Sequence, residues 1–212
     1  YGDHRDLHVR SRRQRQMCIR DRYIIMPTKY DNWTATETIE KSLLDSDIHY
    51  LHGDITNDNV SEAIKWIVSA NLQKKPKRKL TLYINSLGGD LYEAFALIDV
   101  MKNSYHHVST VGIGAVMSAA FLIFVSGQNG QRILGKNTGI MSHQHSDTMD
   151  SKMHDMKAAM SENVNCEVRA LGIIRDASEM TMAEVRKKFN SPSDQYFTAK
   201  QMVDFKLADA IM

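Results

Sequence analysis

Two cysteines are all that this chain of 212 residues contains. One, Cys18, falls in an aberrant N-terminal stretch, so Cys166 stands alone in the remainder. A single thiol cannot close an intrachain disulfide, which points to a reducing, cytosol-like compartment. Long apolar runs are also missing. The longest, 119–125, falls well short of the roughly 18 residues that a membrane-spanning helix needs, so no membrane partner is expected. Met26-Pro27-Thr28-Lys29 leads into polar sequence and not into an apolar leader. There is no internal repeat and no long linker. His143 and His145 could suggest a metal, but no acidic or cysteine set with zinc-type spacing accompanies them. Neither a metal nor another cofactor is expected.

Basic character is scarce once the N-terminus is set aside. Residues 1–22 lack apolar periodicity and carry seven Arg and three Asp, a net charge of +4. The whole chain carries +2, which leaves −2 for the remainder. The segment resembles a translated sequencing-library adapter throughout, with MCIRDR matching the transposase end. It is expected to be an assembly artefact, with the gene starting at Met26. The rival reading is a basic arm for nucleic acid. With residues 1–22 removed, the case for a nucleic-acid partner largely disappears.

What is present is an ordinary globular composition, 42% apolar and 25% charged, long enough for one domain with its own core. Strands are expected over 48–51, 80–84, 108–113, 131–134 and 140–142. Helices are expected over 56–72, 91–102, 118–126, 181–189 and 198–207, with Thr56 as an N-cap. Met153, Met156, Met160, Val164 and Val168 form a stripe on a further long helix. Alternating strands and helices imply an α/β fold with a parallel sheet and right-handed crossovers. Residues 23–47 form a separate N-terminal segment, and 48–212 the main domain.

Four features could carry chemistry. Gly88-Gly89 leaves a strand and enters a helix. It is either a tight turn needing positive φ or a loop whose Gly89 N–H faces a site. Ser118 opens an apolar helix. It is either a small core serine or a nucleophile where free N–H groups favour negative charge. Its surroundings are not the Gly-x-Ser-x-Gly elbow, because Val116 and Ala120 occupy the glycine positions. His143 ends a strand, with His145 as a rival base. Asp194 precedes Tyr196-Phe197 and reads alone as a turn acid. Serine, histidine and an acid together can activate a hydroxyl, but spacing alone supports this only weakly.

The residues also carry a resemblance. Tyr83-Ile84-Asn85-Ser86-x-Gly88-Gly89, Val108-Ser109-Thr110 leading to Gly114-x-x-x-Ser118, and Gly127-x-x-Gly130-x-Arg132 resemble the proteolytic subunit of the Clp protease. So do Met141-x-His143-Gln144 and Asp194-x-Tyr196-Phe197-Thr198-Ala199. The likeness covers 48–212 and needs no gap from the glycine pair to His143. It implies a crotonase-like α/β fold with a protruding handle helix along the methionine stripe. Ser118 would be the nucleophile, His143 the base and Asp194 its orienter, with the Gly89 and Ala119 N–H groups as the oxyanion hole. It further implies a homo-oligomer of two stacked heptameric rings acting on unfolded polypeptides in the cytoplasm of a bacterial or phage-infected bacterial cell, fed by an ATP-dependent unfoldase of the AAA+ class.

Several positions depart from that pattern. Leu87 replaces a proline, Ala119-Ala120 a Met-Gly pair, and Ser193 an arginine that couples assembly to the triad. Thr81 and Asn103 stand where the ATPase-docking surface is usually aromatic. These changes favour a divergent, phage-encoded relative. The alternatives are a head-maturation-type protease without an ATPase, a catalytically silent ring subunit, and an acyl-CoA enzyme of the wider fold.

Overall fold

A computed structural model describes residues 33–73, 76–145 and 152–212. The adapter-like residues 1–22 lie outside them. The chain divides into two compact units, Tyr1–Ser42 and Leu43–Met212. Helix α1 (Ala35–Asp45) starts in the first unit. Thr34 caps it, the backbone N–H and hydroxyl of Thr34 both donating to Glu37 Oε2.

The second unit alternates as expected. Strand β1 (Ile48–His52) leads to α2 (Asn57–Leu72), and β2 (Lys79–Ser86) to α3 (Leu91–Lys102). Strand β3 (His107–Met117) leads to α4 (Ala119–Val125), then β4 (Arg132–Leu134) and β5 (Gly139–Ser142). The long α5 (Met153–Asp176) and α6 (Met182–Phe189) follow. The chain closes with β6 (Gln195–Phe197), α7 (Ala199–Asp204) and β7 (Ala210–Ile211). Thr56 sits at the N-cap of α2, its backbone N–H donating to Asn59 Oδ1 at 3.0 Å. Asp90 caps α3, accepting from the Tyr92 and Glu93 N–H groups.

The strands form one sheet in the order β1-β2-β3-β4-β7, all parallel, with β5 against β3 and β6 antiparallel to β5. The expected α/β architecture is therefore present. Strand β3 is longer than its apolar run suggests, because it pairs twice. Thr110–Gly112 ladder with β4, and Ala115–Met117 ladder with β5. Gly114, at φ 61°, lies between the two ladders and hid this continuation, since glycine ordinarily interrupts a strand. The fork sends one branch into the core and the other to the site.

Every residue of α4 is buried. A seven-residue helix is too short to persist alone; packing holds it, at about 1.5–3 kcal/mol for each large apolar side chain removed from water. Phe121 stacks on Phe189 of α6 at 5.8 Å, and Phe189 meets Phe197 of β6 at 5.0 Å. Helix α7 is shorter than expected. It ends at Asp204, and Lys206 turns the chain with φ 62°.

Arg132 is the main polar tie. Its side chain is only 4% exposed. The guanidinium holds Asp209 through Nε (3.0 Å) and NH2 (2.9 Å), and donates to the carbonyls of Ala177 (2.7 Å) and Lys206 (2.8 Å). One side chain thus joins β4, the end of α5 and the chain leading to β7. Every donor of a buried guanidinium needs such a partner.

The methionine stripe on α5 is not buried within the chain. Met153, Met156, Met160, Val164 and Val168 are between 39% and 70% exposed. Among the described residues, no helix is long and apolar enough to cross a membrane.

Candidate active site

Two neighbouring strands deliver the first pair of groups. Val116 and Met117 of β3 run in register with Ile140 and Met141 of β5. Ser118 continues that ladder, its N–H donating to Met141 O at 2.9 Å. His143 follows β5 directly. The parallel ends therefore sit side by side, and His143 Nε2 lies 2.7 Å from Ser118 Oγ. That is the spacing at which a hydroxyl donates to an unprotonated imidazole nitrogen. His145, the rival base, is exposed on the same cleft.

Ser118 is not within the helix. It turns between β3 and α4 at φ 52°, ψ −123°. A non-glycine residue there is strained by about 1–3 kcal/mol, and surrounding structure must impose the conformation. The Gly-x-Ser-x-Gly sequence is absent, but a sharp strand-to-helix turn carrying serine is present.

The glycine pair meets this turn from the adjacent strand. A Cβ on Gly88 would stand 2.7 Å from Ser118 Cβ and 3.2 Å from its Oγ. A Cβ on Gly89 would collide with the backbone of Ile55. Gly88 O accepts from Ile55 N–H, and Asp90 N–H donates to Ile55 O, both at 2.8 Å. In extended chain the intervening N–H points the opposite way. The Gly89 N–H consequently faces away from Ile55 and has no hydrogen-bond partner among the described residues, and Gly89 lines the cleft beside Ser118. Ala119 N–H, in the first turn of α4, is likewise without an intrahelical acceptor.

Asp194 stands apart. It is exposed, and its carboxylate makes no hydrogen bond to His143 among the described residues; its backbone carbonyl accepts from Gln195 Nε2. Its place in the ladder is informative, though. Ser142 pairs with Gln195 in the antiparallel β5–β6 register. One further step of that register would set His143 opposite Asp194, and Cβ atoms in such pairs lie about 4.5–5.5 Å apart.

The cleft beside Ser118 has a volume of about 200 Å³. Leu91, Leu122, Ala170, Leu171, Ile174 and Phe189 give it apolar walls. Glu167 and Asn190 stand with His145 among its polar lining. An apolar space of about 150 Å³ accommodates benzene, so the cleft has room for a group the size of one large side chain. Glu167 accepts from Arg186 Nη1 at 2.7 Å, tying α5 to α6. Behind the wall, Tyr92 Oη donates to Glu162 Oε1 at 3.0 Å, and Arg169, paired with Glu162, lies 4.9 Å over the Phe95 ring. The Asn165 and Tyr92 hydrogen bonds hold the Glu162 carboxyl below its ordinary value. The sequence pointed to Ser118, His143 and the glycine pair. It did not reveal the walls from α5 and α6, whose apolar spacing reads as ordinary helix core. Among the described residues, no group of three or more His, Cys, Asp or Glu is placed to hold a metal ion.

A parallel α/β sheet with a Ser–His pair beside a glycine loop is thus the class that the fold and site define. A family profile described as Clp protease matches residues 30–212, and the chain belongs to that family. It is 28% identical over 170 residues to the ATP-dependent Clp protease proteolytic subunit 1 of Leifsonia xyli, covering 80% of this chain and 84% of that one. Against the chloroplastic proteolytic subunit 4 of Arabidopsis thaliana it is 28% identical, over 76% of this chain and 54% of that one. Against the proteolytic subunit of Ligilactobacillus salivarius it is 26% identical, over 82% and 87%.

Proposed function

We propose that the protein is a serine endopeptidase that cleaves unfolded polypeptides, with residues 48–212 as the catalytic domain. The observation that carries this reading is the 2.7 Å contact between His143 Nε2 and Ser118 Oγ, made at a strained turn facing Gly88-Gly89. Ser118 Oγ attacks the peptide carbonyl carbon while His143 Nε2 takes its proton. The oxyanion forms between the Gly89 and Ala119 N–H groups. His143 then protonates the leaving amine, and water hydrolyses the acyl-enzyme by the reverse proton path. Asp194 orients the imidazole once the His143 position of the β5–β6 register closes. The cleft, with its apolar walls and the polar groups of Glu167, Asn190 and His145, receives a substrate side chain next to the cleaved bond.

Assembly completes the proposal. The exposed stripe of α5 packs copy against copy in a double-ring homo-oligomer, within which the site faces an enclosed space. An ATP-dependent unfoldase supplies substrate; the relatives are named as proteolytic subunits of an ATP-dependent Clp protease. Residues 1–22 stand outside the working protein.

Hydrolysis of a fluorogenic peptide and of an unfolded polypeptide tests the reading. Ser118→Ala and His143→Ala should each retain very little of the parent rate. Parent-like cleavage by Ser118→Ala would end it. One observation favours a second reading, a catalytically silent ring subunit: the Asp194 carboxylate is exposed and unattached to His143. On that reading the parent itself would hydrolyse neither substrate.

A further inference from the structure

The fork in β3 raises a mechanical question that the Ser–His pair does not answer. Ser118 and the glycine pair follow different strands, β3 and β2, yet must hold a separation accurate to a fraction of an ångström. Between them the ladder is broken. Ile84 pairs with Gly112, but Ser86 pairs with Val116, so two residues of β2 are matched by four of β3. A bulge with two extra residues should loosen the strand just before the nucleophile.

One side chain closes the gap. Asn85 Oδ1 accepts from Ala115 N–H at 3.0 Å, standing in for the missing ladder bond. A Cβ on Gly114 would come within 2.5 Å of Asn85 Oδ1, so glycine at 114 is what lets the amide enter the bulge. The far end of the amide is anchored too. Asn85 Nδ2 donates to Tyr50 Oη at 3.3 Å, and Tyr50 stacks on His52 at 4.8 Å. The backbone of Asn85 accepts from Gly53 N–H at 3.1 Å. Asn85 therefore has its position set from β1, three residues before Gly88 and at the joint three residues before Ser118.

We infer that Asn85 is a positioning residue for the reaction: through Ala115 it fixes the spacing between the Ser118 turn and the Gly88-Gly89 loop. This rests on the peptidase reading above. Asn85 touches neither Ser118 nor the oxyanion donors. It acts by holding the bulge in the one form that delivers Ser118 at φ 52° against Gly88. Sealing a bulge merely for stability would lower the folded fraction and leave each folded site at full speed.

The test uses the full chain with Asn85→Ala and Asn85→Asp, the latter keeping an oxygen for Ala115 N–H. Three quantities are compared: kcat and KM on a fluorogenic peptide, the rate of fluorophosphonate labelling of Ser118, and hydrogen exchange at the Ala115 amide. Asn85→Ala should lower kcat about 10- to 100-fold with KM within about twofold, since small misplacements of reacting groups cost that much. Labelling should slow by the same factor, and the Ala115 amide should lose protection. Asn85→Asp should recover most of the loss and restore protection. Parent kcat per labelled serine in Asn85→Ala would overturn the inference. So would a folded Asn85→Asp that protects Ala115 yet is as slow as Asn85→Ala. If Asn85→Ala does not fold, Asn85→Asp decides alone: near-parent kcat with a protected amide supports the role, and a tenfold or greater loss with a protected amide overturns it. The parent checks the underlying reading separately. An unlabelled parent defeats the peptidase assignment, whereas a labelled parent with an equally fast Asn85→Ala defeats only the role of Asn85.

Discussion

Ser118 combines two properties that oppose each other in an isolated peptide: a left-handed backbone and an exact side-chain direction. The cost of the first is met by neighbours that leave no alternative. Ser118 N–H is held by Met141 O, α4 is buried behind it, and Gly88 leaves just the room that its Cβ occupies. Gly88 is the sharpest probe of this fit. Its own φ is 112°, and an added methyl would meet Ser118 Cβ at 2.7 Å. Gly88→Ala should therefore cost about 1–3 kcal/mol of stability, measured by denaturant unfolding. Peptidase activity should fall about 100-fold or more, because the methyl displaces the nucleophile. Asp194 makes a different prediction. If it joins His143 in the working enzyme, Asp194→Asn should lower kcat about 10³- to 10⁴-fold by stabilising the wrong tautomer, read from the same peptide assay. These residue roles were unevenly legible. Ser118 and His143 stood out through motif and spacing. Asn85 did not, because an asparagine at a strand end reads as turn chemistry until the bulge it fills is seen.

At the scale of elements, β3 organises the molecule by pairing in two directions. Apolar periodicity showed its first half. The second half escaped notice because its pairing partner, β5, is distant in sequence and glycine interrupts the pattern. The short β6 and β7 were missed for a related reason, since two- and three-residue strands exist only through long-range pairing and carry too few residues for a period. Arg132 shows how such late elements are secured. It ties β4 to Asp209, one residue before β7. Burial pushes the Asp209 carboxyl up, but its hydrogen bonds to Arg132 outweigh this and leave it below the usual aspartate value. A depressed folded-state value stabilises the fold above the unfolded value, about 3.9, and that contribution is lost as pH falls through the lower folded one. Asp209→Asn should flatten this acid limb of the stability curve. Asp209→Ala should cost roughly 3–5 kcal/mol, because the guanidinium it abandons is buried. Urea unfolding between pH 3 and pH 7 measures both.

At the scale of the whole molecule, the exposed stripe on α5 is the feature a lone chain leaves unexplained. Its helical spacing was plain in the sequence; whether it faced its own core was not, since periodicity marks an apolar side without saying what covers it. Exposed apolar stripes mark interaction surfaces, and on the proposed assembly another copy covers this one. Met160→Glu with Val164→Glu should yield smaller particles in light scattering and a folded but inactive protein, if ring contacts order the β5–β6 edge so that Asp194 can reach His143. The parent should be a large oligomer at physiological salt, and a monomer there would remove the barrel from the proposal. The most direct measurement is mass-spectrometric mapping of a fluorophosphonate adduct on the assembled parent. The account predicts one adduct, on Ser118, absent from Ser118→Ala and formed far more slowly in His143→Ala. An adduct on a different serine, or peptide hydrolysis that persists in Ser118→Ala, would contradict it.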